Sequence, residues 1–175
     1  MILQSSHETI VLGGGCFWCT EALLSTVVGV LRATPGYAGG ATPDPTYRQV
    51  CYEDTGHAEV VQVEFDPEVL SLEELLGVFF EIHDPTSLNR QGGDVGTQYR
   101  SIILYDSFAQ KLKVEDFIAG IAHRYDKPIV TEVKELEKFY PAEECHQRYF
   151  DKNPSEPYCR AVISPKLAKL RKRAG

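Results

Sequence analysis

Residues 9–30 read TIVLGGGCFWCTEALLSTVVGV. Thr9-Ile10-Val11-Leu12 is a short apolar run closed by three glycines, which predicts a buried strand entering a turn. From Cys16 to about Val30, the apolar residues Phe17, Ala22, Leu23, Val27 and Val30 recur at helical spacing. The first unit is therefore strand, glycine turn, helix, with Cys16 in the helix's first turn.

Outward from that unit the pattern changes several times. Residues 34–46 (TPGYAGGATPDPT) carry enough Gly and Pro to predict an irregular loop, and Tyr47 to Cys51 reads as a strand. From Glu59 to Phe65 the chain alternates: Glu59, Val61, Val63 and Phe65 share one face, and Val60, Gln62 and Glu64 the other. Asp66-Pro67 ends that strand. Ser71-Leu72-Glu73-Glu74 is a capping box opening a helix through Leu72, Leu75, Leu76, Phe79 and Ile82, which His83-Asp84-Pro85 closes. Residues 85–98 form a second polar loop. Arg100 to Tyr105 reads as a strand, Leu112 to Tyr125 as an amphipathic helix and Ile129 to Val133 as a strand. Pro154 and Pro157 then interrupt the chain before a short basic helix that Ser164 is expected to cap. The expected fold is α+β: a ferredoxin-like two-layer sandwich with a mixed β-sheet, extra helices and a long irregular C-terminal segment. The whole chain, 1–175, is expected to be one domain, with residues 153–175 as a C-terminal tail.

Composition fits a globular chain, with 43% hydrophobic and 25% charged residues among 175. No run of 18 apolar residues predicts a transmembrane helix, and MILQSSHETIVL lacks the basic and long apolar parts of a signal peptide. The tail from residue 164 holds Lys166, Lys169, Arg171, Lys172 and Arg173, leaving 13 basic against 25 acidic side chains elsewhere. A body that acidic repels phosphate backbones, which argues against nucleic acid as a partner. The basic helix end is expected to rest against its own acidic body. Five cysteines without a secretory signal point to a reducing compartment, taken as the cytoplasm, rather than a disulfide scaffold.

Cys16 stands out among the five. Free N–H groups and the positive end of a helix favour its thiolate, which predicts a lowered pKa and a nucleophile. Phe17 and the only tryptophan, Trp18, suggest an apolar cup beside it. Cys16 and Cys19 form a Cys-x-x-Cys, read either as a redox pair or, with Cys145 and His146, as zinc ligands. Thioredoxin-like sites place their aromatic before the first cysteine, and this one does not. Glu59 is the only ionisable group on its strand face. Burial there would raise its pKa and make it a proton donor, whereas a place at the strand end would leave it in water.

A series of motifs runs in order along the chain: Gly15-Cys16-Phe17-Trp18-Cys19, Gly36-Tyr37-Ala38-Gly39-Gly40, Pro45-Thr46-Tyr47, Gly56-His57-Ala58-Glu59-Val60, Phe65-Asp66-Pro67, His83-Asp84-Pro85-Thr86 and Gly96-Thr97-Gln98-Tyr99-Arg100-Ser101. From about residue 8 to residue 163 the chain resembles peptide methionine sulfoxide reductases of the A type, which act on the S epimer. The resemblance implies that Cys16 is the nucleophile and Glu59 the acid, and that Tyr47 and Tyr99 hold the sulfoxide oxygen. It implies that Phe17 and Trp18 take the substrate's methyl group and that Asp94 lines the site. His57 is expected to be a structural hydrogen-bonder. The sulfenic acid formed on Cys16 would condense with Cys159, or alternatively with Cys19, and thioredoxin would reduce the disulfide. No cofactor or metal is implied, and the expected working unit is a monomer. Cys51 is expected only to pack in a strand, and Cys145 to be incidental. Met1 is the chain's one methionine, which suits a protein working among oxidants.

Overall fold

The computed structural model describes residues 6–175. Residues 1–5, and with them Met1 and the start of the supposed leader-free segment, lie outside the described residues. Six strands form one mixed sheet in the order β7-β6-β1-β3-β2-β8. They are β1 (Glu8–Gly13), β2 (Val30–Ala38), β3 (Ala58–Phe65), β6 (Ile102–Tyr105), β7 (Glu132–Glu135) and β8 (Phe139–Pro141). Neighbours run antiparallel except β6 and β7, which are parallel. A two-residue ribbon, β4 (Arg90–Gln91) with β5 (Asp94–Val95), sits in the second loop. The helices are α1 (Phe17–Leu24), α2 (Tyr47–Tyr52), α3 (Leu72–Ile82), α4 (Phe108–Ile121), α5 (Tyr149–Lys152) and α6 (Ser164–Ala174).

The main core follows from strand alternation. Ile10 and Leu12 of β1 with Val61, Val63 and Phe65 of β3 face Leu75, Leu76 and Phe79 of α3, all under 2% exposed. The opposite sheet face packs Val11, Val60, Ile102 and Leu104 under Leu136 and Phe139. Glu59 has the parity of Val61 and Val63, so β3 carries a carboxyl into the helix-covered side of the sheet.

Several elements differ from their sequence reading, each for a local reason. Thr34 to Ala38 belongs to strand β2 rather than to a loop. Gly36 permits this, because a Cβ there would collide with the Tyr140 carbonyl of β8. Pro35 costs little, since its carbonyl accepts the Ala142 N–H at 2.9 Å where the β8 ladder ends. Residues 47–52 are a helix, not a strand. Thr46 and Gln49 form a reciprocal capping box, with the Thr46 N–H donating to Gln49 Oε1 at 2.9 Å. The α3 capping box at Ser71 and Glu74 forms as expected. Helix α4 starts earlier than its apolar stripe, at Phe108, because Ser107 accepts the Gln110 N–H. It also ends sooner: Ile121 is its last residue, and Tyr125 lies beyond it. Likewise α1 stops at Leu24, and Val27 to Val30 lead into β2.

The tail is not irregular. Cys159–Ile163 form a π-helical turn that runs straight into α6. Ser164 lies inside that continuous helix with helical dihedrals and makes no side-chain cap. As expected, the basic end rests on the acidic body, with Arg173 paired to Glu81 at 2.8 Å. Among the described residues no helix is long and apolar enough to cross a membrane.

Candidate active site

The glycine turn puts Cys16 at the N-cap of α1. Gly15 has φ +95°, in the left-handed region that favours glycine, and the chain leaves it with Cys16 extended. The Cys16 side chain caps nothing, so its sulfur is left to meet neighbours from elsewhere. It faces Glu59 and Asp94, with the Trp18 backbone N–H and the Tyr158 hydroxyl beside it.

The Cys16 thiol pKa is raised, not lowered as the helix end alone predicts. Cys16 is 8% exposed, and burial pushes the thiol well above its usual range, with the charges of Glu59 and Asp94 adding to the effect. The N–H of Trp18 and the Tyr158 hydroxyl pull the other way and lose. At rest Cys16 is therefore a thiol.

Glu59 is 1% exposed, and neither carboxyl oxygen has a hydrogen-bond partner. Burial, then the charge of Asp94, pushes it well above the usual carboxylate range. An unpartnered buried carboxylate is costly, which favours the neutral form. Tyr47 and Tyr99 are half-buried and feel the Glu59 charge, after burial, as the next cause of their raised pKa values. Both phenols are therefore donors near the acid. The acid and two phenols expected from sequence stand together with Cys16.

Phe17 is fully buried and Trp18 half-buried. Their surroundings contain residues that sequence reading missed. His146 lies 4.3 Å from the Tyr47 ring and accepts the Trp18 indole N–H at 3.1 Å. Tyr149 stacks on Trp18, centroids 3.7 Å apart and planes 7° apart. Tyr37 donates to Glu143 Oε1 at 2.9 Å, while Glu143 Oε2 accepts the Tyr47 N–H at 3.0 Å, which fixes α2 beside the site. Tyr158 donates its hydroxyl to Asp94 at 3.0 Å and lies beside Cys16. The only signal for Tyr149 and Tyr158 was that their segment is rich in aromatics and precedes Cys159, whereas Tyr37 stood in a quoted motif and His146 in the zinc reading. His57 is the hydrogen-bonder expected, accepting the Gly40 N–H and meeting the Thr42 carbonyl at 2.7 Å.

The remaining cysteines sort themselves by position. Cys159 is fully buried and packs with Cys19, Leu23, Ile163 and Leu167. Cys19 also has the Lys166 ammonium beside it. Cys51 is on α2 rather than in a strand, with its sulfur against the Tyr47 hydroxyl at the edge of the site. Cys145 is exposed, and the His146 Nδ1 is taken by Trp18, so the zinc reading fails. Among the described residues no three His, Cys, Asp or Glu side chains converge as metal ligands.

A buried cysteine facing a buried carboxyl and two phenols is the equipment of a thiol-based oxidoreductase. Residues 8–175 match the family Peptide methionine sulfoxide reductase. Peptide methionine sulfoxide reductase MsrA of Saccharolobus solfataricus is 56% identical over 165 residues, covering 94% of this chain and 93% of that one. Among solved structures, methionine sulfoxide reductase A of Corynebacterium diphtheriae is 38% identical with a TM-score of 0.84, covering 89% of this chain and 79% of that one. Saccharomyces cerevisiae Mxr1 in complex with Trx2 is 28% identical with a TM-score of 0.61, covering 83% and 86%. The chain belongs to the peptide methionine sulfoxide reductase family, of the A type, and is an enzyme that reduces methionine sulfoxide.

Proposed function

We propose that Cys16 attacks the sulfur of methionine-S-sulfoxide while Glu59 protonates the oxygen, in free methionine sulfoxide and in oxidised proteins under repair. The reading rests on one observation above all: the Glu59 carboxyl is buried without a partner and faces Cys16. A sulfoxide oxygen entering there accepts the Glu59 proton and the hydroxyls of Tyr47 and Tyr99. Phe17 and Trp18 receive the methyl group, and Asp94 lines the site. As the Cys16 thiol gives up its proton to the carboxylate left behind, its sulfur bonds to the sulfoxide sulfur. The protonated oxygen then passes from the methionine sulfur to the Cys16 sulfur: the methionine S–O bond and the new S–S bond both break, an S–O bond forms on Cys16, and methionine leaves with Cys16 as a sulfenic acid. Donors aimed at a developing charge in a dry site are worth several kcal/mol of barrier, about 10²–10³ in rate for one such donor.

The cycle closes when a second thiol condenses with the sulfenic acid, forming a disulfide and releasing water. Cys159 is our choice for that thiol, with Cys19 as the alternative. A thioredoxin dithiol then reduces the disulfide by exchange, a role supported by the complex of Mxr1 with Trx2. General disulfide exchange is the poorer reading, because it gives Glu59 nothing to protonate.

We read the chain as one catalytic domain, 1–175, with 153–175 as the tail bearing Cys159. The antiparallel order β6-β1-β3-β2, with α1 and α3 in its crossovers, supports a ferredoxin-like centre. We read it as a cytoplasmic monomer, and the five free cysteines fit a reducing compartment.

Purified protein with dimethyl sulfoxide and dithiothreitol tests the reaction. The expected result is turnover that Cys16→Ala abolishes. Full activity in that variant overturns the proposal.

A further inference from the structure

Glu21 is a buried carboxyl that the reaction does not use. It is 4% exposed, on α1 one helical turn after Trp18. Its Oε1 accepts the backbone N–H of Arg148 at 2.8 Å, and the Tyr149 N–H bonds to the same carboxyl. Its partners are thus backbone groups rather than a cation. A buried carboxyl held this way costs desolvation, so its bonds must secure something local structure does not.

What they secure is a strained turn. Arg148 has φ +52°, left-handed and strained for a residue with a side chain. Arg148 does not cap α5 with its own side chain, which instead pairs outward with Asp151 at 3.0 Å. The turn delivers Tyr149 flat against Trp18, 3.7 Å away. With His146 on the indole N–H, Trp18 is held at one edge and covered on one face.

We propose that Glu21 is a positioning residue for the substrate pocket: by gripping the N–H groups of Arg148 and Tyr149, it seats the Tyr149 ring on Trp18 and so sets the pocket's aromatic wall. This rests on the reading of Trp18 as part of the methyl-accepting pocket. Glu21 makes no contact with substrate, and its effect reaches binding through Tyr149.

Shape, not charge, is the requirement, so two conservative variants separate the accounts. Glu21→Gln keeps an acceptor oxygen at the same reach, while Glu21→Asp keeps the charge but withdraws the oxygen by one methylene. The expected result is that Gln preserves KM for N-acetylmethionine sulfoxide with dithiothreitol. Asp raises KM about tenfold with kcat within about twofold. Trp18 is the only tryptophan, so its emission reports the stack: a red shift is expected in Glu21→Asp and Tyr149→Ala, and none in Glu21→Gln. Glu21→Asp combined with Tyr149→Ala should raise KM no further than either alone. Wild-type KM and emission in Glu21→Asp overturn the proposal, as do additive effects in the double variant. If the wild type failed to reduce the sulfoxide, the proposed reaction would fall. The emission of Trp18 would still decide whether Glu21 seats Tyr149.

Discussion

The Tyr158 hydroxyl donates to the Asp94 carboxylate at 3.0 Å, tying the residue before Cys159 to the ribbon beside Cys16. The same hydroxyl reaches the Cys16 thiol. At rest, therefore, the tail lies over the reactive sulfur with its own cysteine turned inward among Cys19, Leu23 and Ile163. Cys159 is close in sequence to the group that touches Cys16, yet its thiol is in a different environment.

Cys159→Ser should reduce sulfoxide at near wild-type rate with dithiothreitol and lose nearly all turnover with thioredoxin. Cys19→Ser should keep both. Full thioredoxin-supported turnover in Cys159→Ser would move the resolving role to Cys19, as measured by NADPH consumption in a thioredoxin-coupled assay.

Glu59→Gln should lower sulfoxide reduction by about 10²–10⁴-fold, the range for a positioned general acid. The variant should stay folded by circular dichroism, because the carboxyl holds no partner that its loss would orphan. An unchanged rate would remove Glu59 from the acid role.

Alkylation by iodoacetamide reads the state of Cys16 directly, in a background where the other four cysteines are serine. Burial, Glu59 and Asp94 hold its thiol up, so the rate should be low at pH 7 and rise only above the range of a free thiol, near 8.5. Where Glu59 is ionised its charge repels the thiolate, so Glu59→Gln should move that rise to lower pH. Asp94→Asn should move it the same way by less.

Acid should weaken the fold through His83. This imidazole is buried, donates to the Phe79 carbonyl at 2.6 Å and accepts from the Ser101 hydroxyl at 2.7 Å. Burial pushes it down to about 4. The unfolded chain, with histidine near 6.5, binds the extra proton first, so the stabilisation is full above about 6.5 and lost as pH falls to 4. It amounts to about 3 kcal/mol at most. Glu21 and Glu59, both held up by burial, work in the opposite direction. The difference in urea midpoint between wild type and His83→Gln isolates the effect and should shrink from pH 7 to pH 4.

Much of the site was legible because its residues sit in short, local signals. The strand, glycine turn and helix around Cys16 follow from residues within one stretch. The parity of Glu59 with Val61 and Val63 follows from alternation. The errors arose where distant chain decides local structure. Gly36 reads as a loop residue until β8 lies against it, and Tyr47 reads as a strand unless the Thr46–Gln49 cap is noticed. The thiol pKa was misjudged because the N-terminal end of a helix is visible in sequence, whereas the burial that outweighs it is not. Tyr158, Tyr149 and His146 gain their roles only by meeting Trp18 and Asp94 across the fold.

The π-turn at Cys159–Ile163 has a mechanical consequence. A helix rises about 1.5 Å per residue and an extended chain about 3.3 Å, so releasing those five residues lengthens the tail by roughly 9 Å. Leu167, nearly fully buried, keeps α6 moored meanwhile. Travel of that size would be drawn from one wide coil, leaving the sheet and every other helix where they are.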